Sequence, residues 1–304
     1  MNQEIKKIFC DLLGEDRVFT DEPMKQHTTF KIGGPADYFL VPESGEEAGE
    51  IIKICKQTDI PYFILGNGSN LLVGDGGYRG VVIQIYRNMS AVTTEGTIIT
   101  AQAGALLSSV AAVAKNASLT GFEFAGGIPG TVGGAAVMNA GAYGGEMKDV
   151  LVEVTVMDAA GNIFTIPAEK LELGYRTSII KKAGYIVLEA KIRLEEGNQE
   201  AIRERMKELT IQRTTKQPLE FPSAGSTFKR PEGYFAGKLV MDSGLRGYQV
   251  GGARVSEKHC GFVINAGGAT AKDVRTLMEN VRDIVYKKYG VTLEPEVKFL
   301  GEFE

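Results

Sequence analysis

The stretch FAGGIPGTVGGAAVMNAGAYGGE, residues 124–146, is the feature that most constrains the fold. Eight of its residues are glycine, yet it also carries Ile128, Val132, Val137 and Met138. A flexible linker combines glycine with serine and other polar residues, so these apolar neighbours indicate a folded segment. In ordered structure each glycine costs roughly 0.5–1 kcal/mol relative to alanine. We therefore expect a close approach of the backbone here, either to neighbouring chain or to a ligand.

A second glycine-bearing turn, GNGSN at 66–70, follows the strand predicted for PYFIL. The first segment contains GGIPGTVGG at 126–134, just before a predicted helix start at AAVM. Backbone N–H groups in such turns and helix starts bind anions without lysine, so two loops predict a ligand with more than one phosphate. Neither loop has GxxxxGK[ST], and no GxGxxG with a following acidic residue is present, which disfavours a P-loop and the usual nicotinamide fold. Tight turns with close helix packing remain the alternative.

Composition excludes several classes of protein. The 304 residues have a formal net charge of -4 and no basic run, which argues against nucleic acid as a partner. No stretch approaches the ~20 apolar residues of a membrane span, and the N-terminus lacks a signal peptide, so we expect a cytoplasmic protein. Its cysteines (Cys10, Cys55, Cys260) and histidines (His27, His259) are too few and too scattered for a disulfide framework or a metal site.

Patterning along the chain predicts an α+β protein in three parts. Strand and helix signals alternate over 1–87, strands dominate 88–200, and a long helix near the end marks 201–304 as α+β. A capping box at Ser44 opens one helix, and a second cap at Thr270 opens the long one.

Several motifs together resemble the UDP-N-acetylenolpyruvoylglucosamine reductase family. The resemblance covers nearly the whole chain in order. The matching motifs are GNGSNLLV (66–73), GIPGTVGGAAVMNAGAYGGE (127–146), LGYRTS (173–178), SAGSTFKRP (223–231), AGKLVMDSGLRGYQVGGARVSEKHCGFVIN (236–265) and LEPEV (293–297).

The resemblance implies a fold and a cofactor. The expected fold is a two-part FAD-binding domain of the vanillyl-alcohol-oxidase (PCMH-like) type, 1–87 and 88–200, followed by an α+β substrate-binding domain, 201–304, whose last strand contributes to the active site. FAD is the expected bound cofactor and NADPH the co-substrate. The expected FAD-binding residues are Gly66, Asn67, Gly68, Ser69, Asn70, Gly127, Ile128, Pro129, Gly130, Thr131, Gly133 and Gly134.

The family's reaction reduces the enolpyruvyl group of UDP-N-acetylglucosamine enolpyruvate to give UDP-N-acetylmuramate for bacterial peptidoglycan. Arg176 matches the family's active-site arginine, which holds the carboxylate and stabilises enolate charge. Ser226 matches its proton donor, although its surroundings alone predict a turn residue or helix cap. Glu296 matches the catalytic glutamate, with Glu294 a competitor on spacing alone.

The expected substrate contacts are Tyr175, Arg176, Lys229, Lys238, Tyr248 and Arg254; for Tyr248 and Arg254 an ordinary surface position on a β-turn is an equal alternative. Only fifty positions separate Arg176 from Ser226. The chain therefore resembles the family's shorter subgroup, which lacks a tyrosine loop over the substrate. We expect a monomer that binds NADPH and substrate in one pocket in turn.

Two other functions stay open at this point. One is a different flavoenzyme on the same FAD domain, an oxidase of a hydroxy acid or sugar lactone. The other is a nucleotide-sugar binding module whose glycine loops hold phosphate without flavin. Reactivity with oxygen would favour the first, and a colourless protein that stays colourless with FAD would favour the second.

Overall fold

The computed structural model describes residues 3–303. Contacts within the chain define two compact units, each built from separate segments. The domain boundaries predicted after residues 87 and 200 come from sequence patterning and the family resemblance rather than from contacts, and they stay a prediction. Unit 1 comprises Met1–Thr20, Tyr38–Asn67 and Gly80–Arg213, and unit 2 comprises Asp21–Asp37, Gly68–Arg79 and Thr214–Glu304.

Two helices begin at the caps that the sequence predicts, Ser44 and Thr270. Ser44 Oγ accepts a hydrogen bond from Glu47 N at 3.2 Å, and Thr270 and Asp273 form the reciprocal capping box. Gly290, at φ 68°, ends the long helix in the left-handed conformation that glycine adopts without strain. The helices are α1 Gln3–Leu13, α2 Gly45–Gln57, α3 Leu107–Asn116, α4 Val132–Met138, α5 Ile179–Ala183, α6 Gln199–Lys216, α7 Ala236–Asp242 and α8 Ala271–Tyr289.

The strands form several small sheets. They are β1 Val18–Pro23, β2 Pro35–Leu40, β3 Tyr62–Leu65, β4 Leu71–Val73, β5 Tyr78–Gln84, β6 Val92–Glu95, β7 Ile98–Gln102, β8 Leu119–Thr120, β9 Gly141–Ala142, β10 Gly145–Glu146, β11 Leu151–Met157, β12 Ile163–Pro167, β13 Ile186–Arg193, β14 Glu195–Glu196, β15 Ser223–Ser226, β16 Gln249–Val250, β17 Ala253–Val255, β18 Phe262–Asn265 and β19 Lys298–Leu300.

Unit 1 contains an antiparallel sheet of order β12–β11–β13–β7–β6. The predicted hairpin is confirmed, with Val154 opposite Ile166 and Met157 opposite Ile163. Valines at 154 and 156 are fully buried while the intervening Thr155 is not, as expected for a strand with one face on the core. Helix α4 packs against β13, so the part of the glycine-rich segment that forms α4 lies in the core of unit 1.

Unit 2 contains the sheet β15–β18–β17–β16, and α8 packs on β16 and β17. Two elements differ from the sequence interpretation. SAGSTFKRP, taken as a loop, begins with strand β15, where Gly225 at φ 76° accommodates an irregular register between Ser223 and Ser226. The closing strand is shorter than expected and starts at Lys298, because Pro295 has no N–H for a ladder.

Candidate functional site

Gly66 and Asn67 of the first predicted phosphate loop contact the second loop within unit 1. Asn67 Nδ2 donates a hydrogen bond to Pro129 O at 2.7 Å. A Cβ on Gly66 would lie 2.6 Å from Thr131 Oγ1, so only glycine fits against the second loop at this point. Residues 66–67 and 129–131, which are about sixty positions apart in the sequence, therefore lie in contact.

The start of α4 differs from the expectation that it offers free donors. Val132 N and Gly133 N each donate to a backbone carbonyl at 2.8 Å, those of Ala105 and Ala103. Gly134 N donates to the Thr131 hydroxyl at 3.4 Å. Close packing, the alternative interpretation of these glycines, thus accounts for the helix start.

Donors for a phosphate are nevertheless present in both loops. Within residues 3–303, no acceptor is found for the backbone N–H groups of Asn67, Gly68 and Ser69 in the first loop, or of Gly130 and Thr131 in the second. Gly68 and Thr131 are buried. Buried backbone N–H groups are almost always paired, so the unpaired ones in each glycine loop, taken separately, are suited to an anion such as a phosphate.

Arg176 lies in a tight turn of unit 1. Gly174 and Thr177 exchange backbone hydrogen bonds at 3.1 and 3.2 Å, and between them Arg176 adopts a left-handed φ of 57°. Such a conformation is costly for a residue with a Cβ and is typical of functional positions. Its guanidinium lies 5.2 Å from the ring centroid of Tyr175, an exposed predicted substrate contact.

A buried network supports this turn. Asn139, 1% exposed, donates from Nδ2 to Gly174 O at 3.2 Å and to Glu146 Oε2 at 2.8 Å. Hydrogen bonding from Lys148 lowers the pKa of Glu146, and Asn139 and the charge of Arg176 act in the same direction. Glu146 is therefore an anion on the Arg176 side of the network.

Ser226 and Glu296 are brought together in unit 2. Glu296 N donates to Thr227 O at 2.8 Å, and Phe228 forms an isolated bridge with Pro295. Ser226 ends β15 with an exposed side chain, and Glu296 is half-buried. The interpretation of Ser226 as a turn or helix-cap residue is wrong, because a bulged strand places it on a sheet edge beside the glutamate segment.

The two carboxylates of LEPEV have different surroundings. Glu294, the competitor, is exposed and pairs with Lys229 at 2.8 Å, which lowers the pKa of its carboxyl. Lys238 is likewise exposed and pairs with Asp242 at 2.7 Å. Exposed pairs of this kind contribute only about 0–1 kcal/mol, so both lysines can exchange these partners for a ligand.

Tyr248 and Arg254 are adjacent in the β16–β17 hairpin, where Val255 N donates to Tyr248 O at 2.8 Å. The Tyr248 hydroxyl accepts from Asn280 Nδ2 at 2.9 Å. In the described chain, Arg254 Nε is buried without a hydrogen-bond partner. Both are half-buried, so neither is the ordinary surface residue of the alternative interpretation.

One further cation was missed at the sequence level. Arg213 belongs to unit 1, and its guanidinium lies against Gly127 of the second loop. The signal is present in the sequence, because Arg213 continues the helical spacing of the apolar Ile202, Met206 and Leu209. A cation on the buried side of a helix is costly unless an anion pairs with it.

Other features of the described chain carry no site. Its cysteines are unpaired, and burial raises the pKa of the Cys55 thiol to about 12, as expected for a core residue. Residues 3–303 contain no group of three or more His, Cys, Asp or Glu side chains that could hold a metal ion. Over the same range, every helix is too short or too polar to traverse a lipid bilayer.

Comparison with known proteins assigns both regions. Residues 36–167 match the FAD binding domain, and residues 217–300 match the UDP-N-acetylenolpyruvoylglucosamine reductase C-terminal domain. The reductase of this name from Agathobacter rectalis is 55% identical, with 100% of both chains covered. That of Clostridioides difficile is 53% identical, with 99% of both chains covered.

Solved structures agree. The crystal structure of UDP-N-acetylenolpyruvylglucosamine reductase from Thermus caldophilus superposes with a TM-score of 0.79 at 38% identity, covering 91% of this chain and 97% of that one. An alkyldihydroxyacetonephosphate synthase, 15% identical, has a TM-score of 0.50 over 64% of this chain and 41% of its own, which shows the fold alone.

The fold and the paired glycine loops define an FAD-dependent oxidoreductase with a PCMH-like FAD-binding domain and an α+β C-terminal domain. The expected fold class is confirmed. Identity over the full length narrows the assignment: the chain belongs to the UDP-N-acetylenolpyruvoylglucosamine reductase family.

Proposed function

We propose that the protein reduces the enolpyruvyl group of UDP-N-acetylglucosamine enolpyruvate with NADPH through bound FAD, and so makes UDP-N-acetylmuramate, a peptidoglycan precursor. Family membership supports the substrate class. The structural observation that carries the proposal is the backbone bond from Glu296 to Thr227, which keeps the proposed proton donor beside the proposed catalytic glutamate.

The proposed chemistry adds a hydride and a proton across a carbon–carbon double bond. When bound and reduced by NADPH, FAD would supply the hydride for C3 of the enolpyruvyl group. As the C3–H bond forms, the π electrons move to C2, beside the carboxylate. Ser226 Oγ–H then breaks and its proton forms the C2–H bond, so the substrate gains two electrons and two hydrogens.

Arg176 stabilises the charge that develops at C2. A guanidinium fixed in a constrained turn contributes most in the transition state, because no reorganisation is needed when the charge appears. The exchanged bonds between Gly174 and Thr177 and the contact with Asn139 supply that constraint. Tyr175, next to it, is exposed and available to the substrate.

Ser226 needs help to act as an acid, because an unperturbed hydroxyl is a weak proton donor. Glu296 is the proposed partner in proton transfer near C2. On the same unit, Lys229, Lys238, Tyr248 and Arg254 are proposed contacts for the UDP portion of the substrate. Arg254 is the most strongly supported of these, since the described chain leaves its buried Nε without an acceptor.

Ser226→Ala tests the proposal by separating the two half-reactions. NADPH should reduce the bound flavin at the wild-type rate, while reoxidation by the enolpyruvyl substrate should slow by about 100-fold or more, as for loss of a general acid. Stopped-flow absorbance in the flavin bands measures both steps. Ser223→Ala, on the same strand, is the matched control and should leave both rates unchanged.

Three outcomes contradict the proposal. Wild-type rates of both half-reactions in Ser226→Ala would remove the assigned acid. Reoxidation of the wild-type flavin by oxygen but not by the enolpyruvyl substrate would favour an oxidase, and a protein that stays colourless with FAD would favour a binding module.

A further inference from the structure

Arg213 occupies an unusual position for a cation. It follows the buried residues of α6 toward the second glycine loop, and its side chain is half-buried. A Cβ placed on Gly127 would lie 3.0 Å from Arg213 Cδ and 3.2 Å from Nη1. The guanidinium therefore lies directly on the backbone of the loop, where the absence of a side chain at residue 127 leaves room for it.

The charge of Arg213 is not compensated within the described chain. Residues 3–303 place no carboxylate within 4.0 Å of its guanidinium and no hydrogen-bond acceptor on it, and the group that acts on it electrostatically is the Tyr143 phenol. Burial lowers the pKa of the guanidinium, which Tyr143 offsets in part. A desolvated cation without a partner is costly, and proteins pair such groups with an anion.

The helix fixes this cation in place. Ile202 and Leu209 anchor α6 in the core, and Met206 Cε lies 3.3 Å from the Cβ position of Gly126. Arg213 is two helical turns beyond Met206 and so reaches the next residue of the loop. Neighbouring arginines on α6 are different: Arg205 is exposed and pairs with Glu208 at 3.0 Å.

We propose that Arg213 binds a phosphate of FAD, as the charged partner of the second glycine loop. This inference rests on the proposed function for the identity of the cofactor. Gly127 belongs to the segment matched by the FAD binding domain, and Arg213 lies before the C-terminal reductase domain begins at residue 217. A planar guanidinium holds two phosphate oxygens at once, whereas the backbone N–H groups of the loops supply no charge.

A flavin series tests the assignment. Apoprotein of Arg213→Gln and Arg213→Lys is titrated with FAD, FMN and riboflavin, and binding is followed by quenching of flavin fluorescence. We expect the Kd for FAD to rise about 10- to 100-fold in Arg213→Gln, the range for loss of a hydrogen bond to a charged group. The Kd of Arg213→Lys for FAD should lie between those of the wild type and Arg213→Gln, because lysine keeps the charge but lacks the planar pair of N–H donors. Riboflavin, which has no phosphate, should bind the variants and wild type equally.

Controls separate binding from folding. Arg205→Gln removes a cation from the same helix and should leave FAD affinity unchanged. The melting temperature of the apoprotein should be unchanged or higher in Arg213→Gln, since an uncompensated charge is removed, while the increase caused by FAD should shrink. The FAD penalty should also decrease in high salt.

Three results would overturn the inference. A lowered melting temperature of the Arg213→Gln apoprotein with normal FAD affinity would make the residue structural. An equal penalty for riboflavin would place it against the ring rather than a phosphate. Unchanged FAD affinity with weaker UDP binding would assign it to the substrate. Failure of the wild-type apoprotein to bind FAD would instead contradict the proposed cofactor.

Discussion

At the scale of single residues, Asn139 does more than its place in a glycine-rich sequence indicates. It ends α4 at a left-handed φ of 46°, a conformation that asparagine tolerates better than most residues. Its side chain then makes three hydrogen bonds, to Gly174 O, Glu146 Oε2 and from Lys148 N. One amide thus joins the end of the glycine segment to the turn that presents Arg176.

Asn139→Ala should both destabilise the protein and loosen that turn. We expect the free energy of unfolding to fall by about 2–3 kcal/mol, because buried groups lose their partners and alanine is strained at this φ. KM for the enolpyruvyl substrate should rise, while flavin reduction by NADPH stays near wild type. Urea unfolding and steady-state kinetics measure the two effects.

Asn139→Gly is the matched variant, because it keeps the conformation and removes only the side chain. It should be more stable than Asn139→Ala by roughly 1 kcal/mol and share its raised KM. If both variants keep the wild-type KM, Asn139 does not position Arg176.

At the scale of elements, the edge formed by β15 and residues 294–296 depends on one buried hydroxyl. Thr227 Oγ1, in a residue that is 2% exposed, accepts a hydrogen bond from Val263 N on β18 at 2.8 Å. The backbone of Thr227 also joins Gly261 and Glu296. The placement of Ser226 therefore depends on a residue that does not itself take part in the proposed chemistry.

Thr227→Val conserves the shape of this side chain and removes the acceptor. The Val263 N–H is then buried without a partner, and the free energy of unfolding should fall by about 1–3 kcal/mol. Thr155→Val, at the exposed Thr155–Thr165 pair between β11 and β12, should change the free energy of unfolding by less than about 0.5 kcal/mol. Denaturant unfolding measures the free energy of unfolding of both variants. Equal losses would show that the buried hydroxyl of Thr227 contributes no more to stability than the exposed one of Thr155.

The same elements show what the sequence can and cannot predict. Caps at Ser44 and Thr270 and the alternation in β11 are local signals, and they placed helices and strands correctly. Ser226 was misjudged because its strand exists only through pairing with β18, a non-local partner. Arg213 was missed because a charged residue within an amphipathic helix is normally taken as solvated, and only the packing of α6 on Gly127 reveals its environment.

At the scale of the whole molecule, the described residues divide into two compact units. The FAD binding domain accounts for residues 36–167 and the C-terminal reductase domain for 217–300. The remaining segments supply α1, α5, α6, β13 and β14 to unit 1 and short pieces to unit 2. Residues 3–303 therefore contain no third compact unit that would provide a separate nicotinamide fold.

Because residues 3–303 form two compact units and no third, we predict that NADPH and the enolpyruvyl substrate use one pocket in turn. NADPH must then reduce the flavin and leave as NADP⁺ before the substrate enters. Double-reciprocal plots of rate against NADPH, at several substrate concentrations, should be parallel, and excess substrate should inhibit competitively against NADPH. Reduction in the absence of substrate, with release of NADP⁺, should proceed at least as fast as overall turnover. Intersecting lines would require both ligands to be bound together, and the protein would then need a second site within the two units.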